Sequence, residues 1–129
     1  MMFKSKDMHE ELAVLRIDSA ILDEFEVVIS DGNAASDYAK FHTSPGGLKY
    51  LDKNLIFAEY WTDPNRITAY RRKFAICAEV LVRDSVPPKF IMGVYVCTQK
   101  TCQKVVELLK ELSFADKISI KPELFFREV

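Results

Sequence analysis

One apolar stretch predicts a β-strand: Phe74-Ala-Ile-Cys-Ala-Glu-Val-Leu-Val82. Successive side chains of a strand point to opposite faces, and here both faces are apolar except at Glu79. A carboxylate in such a strand costs several kcal/mol unless it is paired or opens onto a cleft. Glu79 is therefore the residue whose position argues most for a chemical role. The alternative is a position at the edge or mouth of a sheet, where this face simply meets water.

The residues directly before this stretch predict a short basic helix over residues 66–73. Thr62-Asp-Pro-Asn65 has the composition of a helix start, with Thr62 or Asp63 as the cap and Pro64 at the first helical position.

An aromatic pair, Tyr60 and Trp61, precedes this helix. The bases of single-stranded nucleic acid stack on aromatic rings, and cations follow its backbone. This combination indicates a DNA-contacting segment, with the candidate contacts Tyr60, Trp61, Arg71, Arg72 and Lys73. The alternative is an ordinary charged helix face with core aromatic residues nearby.

The pattern elsewhere predicts further strands and a well-defined helix. The expected strands, short runs of branched apolar residues, lie at residues 12–18, 27–30, 90–97 and 117–121. Thr98 is predicted to cap a helix over 99–112, where apolar residues recur at helical spacing. The poorly periodic stretch 34–65 is interpreted as a functional loop mixed with short helices. Residues 122–126 are expected to form an extended tail.

The length and the charge of the chain limit its class. Its 129 residues fit one domain over 1–129. The formal net charge of −1 gives no global attraction for nucleic acid or an anionic membrane, so any contact with DNA must be local. No apolar run is long enough to span a membrane, and the N-terminus lacks the features of a secretory signal. We therefore predict a cytoplasmic location and no membrane partner.

The cysteine and histidine residues argue against cross-links and metal sites. Cys77, Cys97 and Cys102 match neither a disulfide framework nor a zinc knuckle, and buried, reduced thiols are expected. His9 and His42 have no cysteine or carboxylate at metal-ligand spacing, so no metal is expected. Neither Gly-x-Gly-x-x-Gly nor Gly-Lys-Ser/Thr occurs, which leaves a dinucleotide-binding fold and a P-loop without support.

Several motifs together resemble the DarT family in order and in spacing. They are Asp31-Gly-Asn-Ala-Ala-Ser36, Gly47-Leu-Lys-Tyr-Leu-Asp52, Ile56-Phe-Ala-Glu-Tyr-Trp-Thr-Asp63, Arg71-Arg-Lys73, Cys77-Ala-Glu-Val-Leu-Val82, Val86-Pro-Pro-Lys-Phe-Ile91 and Lys121-Pro-Glu-Leu-Phe-Phe126. The resemblance covers nearly the whole chain, and the series is far more specific than any single motif. DarT proteins are bacterial toxins that transfer ADP-ribose from NAD to a base in single-stranded DNA, and a paired antitoxin reverses the mark.

The resemblance implies an ADP-ribosyltransferase-like α+β fold, a split mixed β-sheet with flanking helices, incomplete at the N-terminus. It implies that Glu79 is the catalytic glutamate, that NAD is the ADP-ribose donor, and that the stretch before Glu79 recognises DNA. The family's NAD-binding histidine and arginine should precede the residues that match Met1-Met-Phe-Lys4, so no residue of this chain is assigned a role in NAD binding. The chain is thus expected to correspond to the C-terminal half or two-thirds of a DarT protein.

These observations lead to three hypotheses about function. The first is an ADP-ribosyltransferase toxin domain, crippled or inactive as this chain alone. The second is a non-catalytic fragment that binds DNA or an antitoxin, and the third is a folding remnant without function. Glu79 and the aromatic and basic residues before it favour the first over the third. The expected absence of the NAD-binding part of the DarT domain favours the second or the third hypothesis for this chain.

Overall fold

The structure is a computed structural model that describes residues 8–125. In chain order its strands are β1 (Ala13–Ile17), β2 (Val27–Ser30), β3 (Phe41–Thr43), β4 (Glu79–Val82), β5 (Ile91–Val96) and β6 (Ile118–Ile120). Its α-helices are α1 (Lys53–Ile56), α2 (Arg66–Ile76) and α3 (Gln99–Leu109). Short 3-10 turns connect several of these elements. The predicted α+β class, with two small sheets and flanking helices, is confirmed.

The described residues form two compact units. One contains the chain up to Asp18 and from Pro87 onward, and the other is Ser19–Val86. The expectation of a single domain over 1–129 stays a prediction. None of the helices in residues 8–125 has the length and apolarity needed to cross a membrane.

The first unit is built on a mixed sheet in the order β1-β5-β6. β5 lies in the middle, antiparallel to β1 and parallel to β6. Val94 and Val96 are buried, as the continuous apolar run of β5 predicts for a central strand. α3 packs against β5 and β6. Its predicted cap is confirmed, because the Thr98 side chain accepts a hydrogen bond from the Thr101 N–H at 3.2 Å.

The second unit is built on an antiparallel sheet in the order β3-β2-β4. The central strand β2 buries Val27 and Ile29, and α1 packs against α2. β4 is an edge strand of this sheet. β3 was not predicted, because its three residues lie in the poorly periodic stretch and are too few to show alternation.

The predicted strand over 74–82 is wrong in its first half, because α2 continues to Ile76 and β4 begins only at Glu79. Ala75 is buried in its helical position. Hydrogen bonds from the Cys77 N–H to the Phe74 carbonyl, and from the Ala78 N–H to the Ala75 carbonyl, close the end of the helix. A short apolar run suits a buried helix turn and a strand equally well, so periodicity alone could not place this boundary.

The predicted start of α2 is displaced by two to three residues. Asn65 is the cap, and its side-chain oxygen accepts from the N–H groups of Ile67 at 2.9 Å and Thr68 at 3.2 Å. Asp63 instead accepts from the Asn65 N–H at 2.9 Å and so holds the turn before the helix. Pro64 lies outside the helix. At the other end of the chain, Pro122–Leu124 forms a 3-10 turn, so the expected extended tail is wrong there, and Phe126 lies outside the described residues.

Candidate functional site

Glu79 is exposed at the first position of β4. The sheet register places it opposite Ser30, the last residue of β2. Within residues 8–125, no hydrogen bond or ion pair engages its carboxylate. The sequence left two interpretations of Glu79, a carboxylate that opens onto a cleft and one at a sheet edge exposed to water. The structure shows Glu79 at a sheet edge, with its carboxylate exposed to water. The same exposure leaves the carboxylate open to a ligand.

A closed loop over residues 31–40 begins next to Glu79, directly after Ser30. Both main-chain and side-chain groups of Asp31 close it: the Asp31 N–H donates to the Lys40 carbonyl at 3.1 Å, and the Asp31 carboxylate accepts from the Lys40 N–H at 2.8 Å. The buried Ser30 hydroxyl donates to the Gly32 carbonyl at 2.8 Å. The loop conformation is therefore held by its own first and last residues.

This loop is docked on the last turns of α2. The Asn33 N–H donates to the Phe74 carbonyl at 3.2 Å. Gly32 is buried against the Phe74 ring, and a Cβ atom at position 32 would collide with that ring. Glu79, the start of the loop and the end of α2 thus meet at one place in the second unit.

The predicted DNA contacts before and within α2 are partly brought together. The Lys73 ammonium group lies 5.4 Å from the centroid of the Trp61 ring, within cation–π range. Tyr60 is 67% exposed and Trp61 is 46% exposed. Arg71 is exposed, and it has no ion pair in the part of the chain that the structure describes. These four residues present two rings and two cations to solvent.

Arg72, the other predicted contact, is engaged within the protein. Its guanidinium lies 3.2 Å from the Asp63 carboxylate and donates to the Thr62 carbonyl at 3.3 Å. Both side chains of the ion pair are less than one-third exposed. The pair ties the segment that contains Trp61 to the middle of α2, so the immediate role of Arg72 is to position its neighbours.

Tyr38 and Tyr70 form an aromatic pair that the sequence did not predict. Their rings are in an edge-to-face arrangement with centroids 6.3 Å apart. One signal for Tyr70 was available in the sequence: it lies three residues before Lys73 in the predicted basic helix, so the two side chains would share a helix face. Nothing local signals Tyr38, which lies in the loop 31–40.

The thiol and imidazole groups differ from expectation in one respect. The three cysteines are unpaired, and the expected burial of their thiols is wrong: Cys77 is exposed at the C-terminal end of α2, and Cys97 and Cys102 are half-buried. His42 stacks on Tyr50 with ring centroids 4.5 Å apart. Residues 8–125 contain no group of three or more histidine, cysteine or acidic side chains placed to hold a metal ion.

Comparison with known proteins identifies the family. The family model described as "ssDNA thymidine ADP-ribosyltransferase, DarT" matches residues 1–126. The chain belongs to the DarT family. Two curated relatives, each named DNA ADP-ribosyl transferase, from Mycobacterium tuberculosis and Mycobacterium bovis, are 33% identical to it over 102 residues. That alignment covers 75% of this chain and 42% of each relative, so the chain spans less than half the length of these relatives.

Solved DarT structures share the fold. Thermus sp. 2.9 DarT in complex with NAD+ matches with a TM-score of 0.66 and 24% identity, over 78% of this chain and 50% of that one. The same protein in complex with ADP-ribosylated ssDNA matches with a TM-score of 0.66 and 24% identity, over 78% of this chain and 47% of that one. Thermosipho africanus DarTG in complex with ADP-ribose matches with a TM-score of 0.75 and 20% identity, over 98% of this chain and 33% of that one. The predicted ADP-ribosyltransferase-like fold is thereby confirmed.

A cavity of about 450 Å³ lies at the end of β2 and β4 that is opposite to Glu79. It is lined by Val28, Leu81 and Val82, and by the ion pair between Arg83 and Glu26. It contains none of the predicted site residues.

Proposed function

We propose that this chain supplies the catalytic carboxylate and part of the DNA-binding surface for NAD-dependent ADP-ribosylation of a base in single-stranded DNA. The proposal rests above all on one observation. In a chain that the DarT family model matches over residues 1–126, Glu79 lies exposed at a strand edge, free of partners among the described residues. The family description names thymidine, and thymine is therefore the base we propose as the acceptor.

Glu79 suits the bond changes of this reaction. NAD, when bound, supplies an activated bond between nicotinamide and ribose. That bond breaks with nicotinamide as the leaving group, a bond forms between the ribose carbon and a base nitrogen, and the base loses a proton. A carboxylate beside the ribose stabilises the positive charge that develops there. It can also hold the ribose 2′-hydroxyl group or accept the proton from the base.

The surface before Glu79 suits the polyanionic acceptor. Trp61 and Tyr60 offer rings for stacking, and Lys73 and Arg71 offer cations for phosphates. All four precede Glu79 in the second unit. Arg72, which is held by Asp63, supports this surface by fixing the segment that leads into α2.

The biological setting that we propose is a toxin whose modification a paired antitoxin reverses, in the cytoplasm. This proposal rests on the membership of the chain in the DarT family. A second candidate is a non-catalytic fragment that binds DNA or the antitoxin. It is favoured by one observation: the exposed rings of Tyr60 and Trp61, with Lys73 beside Trp61, could contact DNA without any NAD chemistry.

The test is to incubate the 129-residue chain with NAD and a thymine-containing single-stranded oligonucleotide. Mass spectrometry measures the ADP-ribose adduct, and fluorescence anisotropy measures DNA binding in the same samples. In line with the reduced activity expected of this chain, we expect the unaltered chain to form the adduct only weakly, with a further loss of about 100-fold or more in Glu79→Gln, because a positioned carboxylate contributes on this order to catalysis. DNA affinity should change little, because Gln keeps the side-chain volume.

Glu111→Gln is the matched control, since Glu111 is exposed in the other unit. Adduct formation that persists in Glu79→Gln would exclude this carboxylate from catalysis. DNA binding by the unaltered chain without any adduct would contradict catalysis by this chain and support the non-catalytic fragment. Absence of both would contradict both functions.

A further inference from the structure

We infer that Tyr38 and Tyr70 form a stacking platform for a nucleotide that neighbours the modified base. The inference rests on the proposed function and extends it to residues that neither the family description nor the sequence pattern assigns. It would make these two tyrosines determinants of DNA affinity and register, separate from the carboxylate that performs the chemistry.

The first observation is exposure of both rings despite their mutual contact. Tyr38 is 73% exposed and Tyr70 is 54% exposed, although their centroids are only 6.3 Å apart. The interplanar angle of 85° brings an edge of one ring to the face of the other, so much of the paired surface still faces solvent. The contact restricts both rings before a ligand arrives, and less side-chain entropy is then lost on binding.

The second observation is where the two tyrosines are anchored. Tyr38 belongs to the loop 31–40, which begins directly after the residue paired with Glu79 and is closed by the Asp31 and Lys40 hydrogen bonds. The Ser36 hydroxyl accepts from the Tyr38 N–H at 3.2 Å. Tyr70 lies in the middle of α2, about 9 Å along the helix axis from its last residue. Tyr38 therefore lies in a loop that begins next to the strand partner of Glu79, and Tyr70 lies in a helix that ends three residues before Glu79.

The third observation is the charge around Tyr70. Arg66 lies four residues before it and Lys73 three residues after it, so both cations share its face of α2. Lys73 also lies over the Trp61 ring. The series of rings and cations therefore extends from Tyr70 through Lys73 to Trp61, which precedes the helix. Such alternation is what single-stranded nucleic acid requires, with bases on rings and phosphates on cations.

The surroundings of Tyr38 separate the two roles. The loop 31–40 carries Asp31 and the exposed Asp37 against one cation, Lys40, and its net negative charge disfavours a phosphate at this end. We therefore assign phosphate contacts to the α2 side and base stacking to the tyrosine pair. Because every base has a π-face, the platform should tolerate any base at this position.

The experiment measures the affinity of the 129-residue chain for a fluorescent single-stranded oligonucleotide at low salt. Tyr38→Ala and Tyr70→Ala should each weaken binding about 5- to 150-fold, the range observed when a stacking ring is removed. Tyr38→Phe and Tyr70→Phe should bind like the unaltered chain, since the ring and not the hydroxyl stacks. The matched control is Tyr50→Ala, which removes a 60% exposed tyrosine that stacks on His42 instead.

A set of oligonucleotides with one abasic position each identifies the base that stacks. One abasic position should weaken binding by the unaltered chain but not by Tyr38→Ala or Tyr70→Ala, because the partner ring is already missing. Circular dichroism of each variant checks that it is folded. If folded alanine variants bind as tightly as the unaltered chain, or if they respond to every abasic position as it does, the platform is excluded.

The outcome is independent of catalysis. Unchanged affinity in the tyrosine variants, together with loss of the adduct in Glu79→Gln, contradicts the platform and leaves the proposed function intact. Absence of any DNA binding by the unaltered chain contradicts both.

Discussion

Gly32 shows how tightly space is limited next to the candidate carboxylate. It is buried where the loop 31–40 meets α2, and its missing side chain makes room for the Phe74 ring. Its φ angle is not positive, so the requirement for glycine here comes from packing and not from backbone conformation. The loop reaches α2, and hence the region of Glu79, because position 32 lacks a Cβ atom.

Gly32→Ala should destabilise the protein by about 1–3 kcal/mol, since the added methyl group forces the Phe74 ring or the loop to move. Thermal unfolding followed by circular dichroism measures this change. Gly46→Ala is the control, because a Cβ atom at position 46 would contact nothing within 4 Å. Equal melting temperatures for the two variants would show that the loop does not pack on Phe74 as described.

α2 is the element that organises the candidate site. It carries Tyr70, Arg71 and Lys73 on its surface, and the short connection after its last residue leads into Glu79. The orientation of its first turn depends on the Asn65 cap, and the ion pair between Asp63 and Arg72 ties the preceding segment to the middle of the helix.

Asn65→Ala should lower the free energy of unfolding by about 1 kcal/mol, because two N–H groups at the helix start lose their acceptor. Urea titration gives the value. Asn54→Ala serves as the matched control, since the Asn54 side chain is exposed and accepts no capping hydrogen bond in α1. A cap at Asp63, as the sequence suggested, would instead make Asn65→Ala as mild as Asn54→Ala.

The whole molecule is close to electrically neutral, with a net charge of −1. Long-range attraction therefore does not bring it to DNA, and binding has to come from the local cations of α2. The salt dependence of binding should accordingly reflect few phosphate contacts. It also distinguishes a residue that touches a phosphate from one that positions its neighbours.

Lys73→Gln should reduce the slope of log affinity against log salt concentration by about 0.7, the value for one phosphate contact on a single strand. Arg72→Gln should leave the slope unchanged even if affinity falls, because its guanidinium is engaged with Asp63 and Thr62. Anisotropy titrations at several salt concentrations measure the slopes, and Lys104→Gln in the other unit is the control. A slope change in Arg72→Gln equal to that in Lys73→Gln would make Arg72 a direct phosphate contact.

Local sequence predicted the elements whose signals are contained in a few neighbouring residues. The helix after Thr98 and the strand β5 were predicted because capping and apolar periodicity are local properties. Glu79 also stood out in the sequence as a lone carboxylate in an apolar run, but the expected conflict with burial is absent, because Glu79 is exposed on the edge strand β4. The family resemblance rested on the order and spacing of motifs, which the chain itself carries.

Tertiary structure decided the features that depend on distant partners. The apolar residues from Phe74 to Ile76 suit a helix or a strand, and their place in α2, where Ala75 is buried, settles between them. Tyr38 and Tyr70 become a pair only because the loop 31–40 docks on α2. The sequence by itself thus determined which residue types were present and most of the local elements, because propensity and capping act over a few residues. Which side chains meet at the site was decided by packing between segments far apart in the chain.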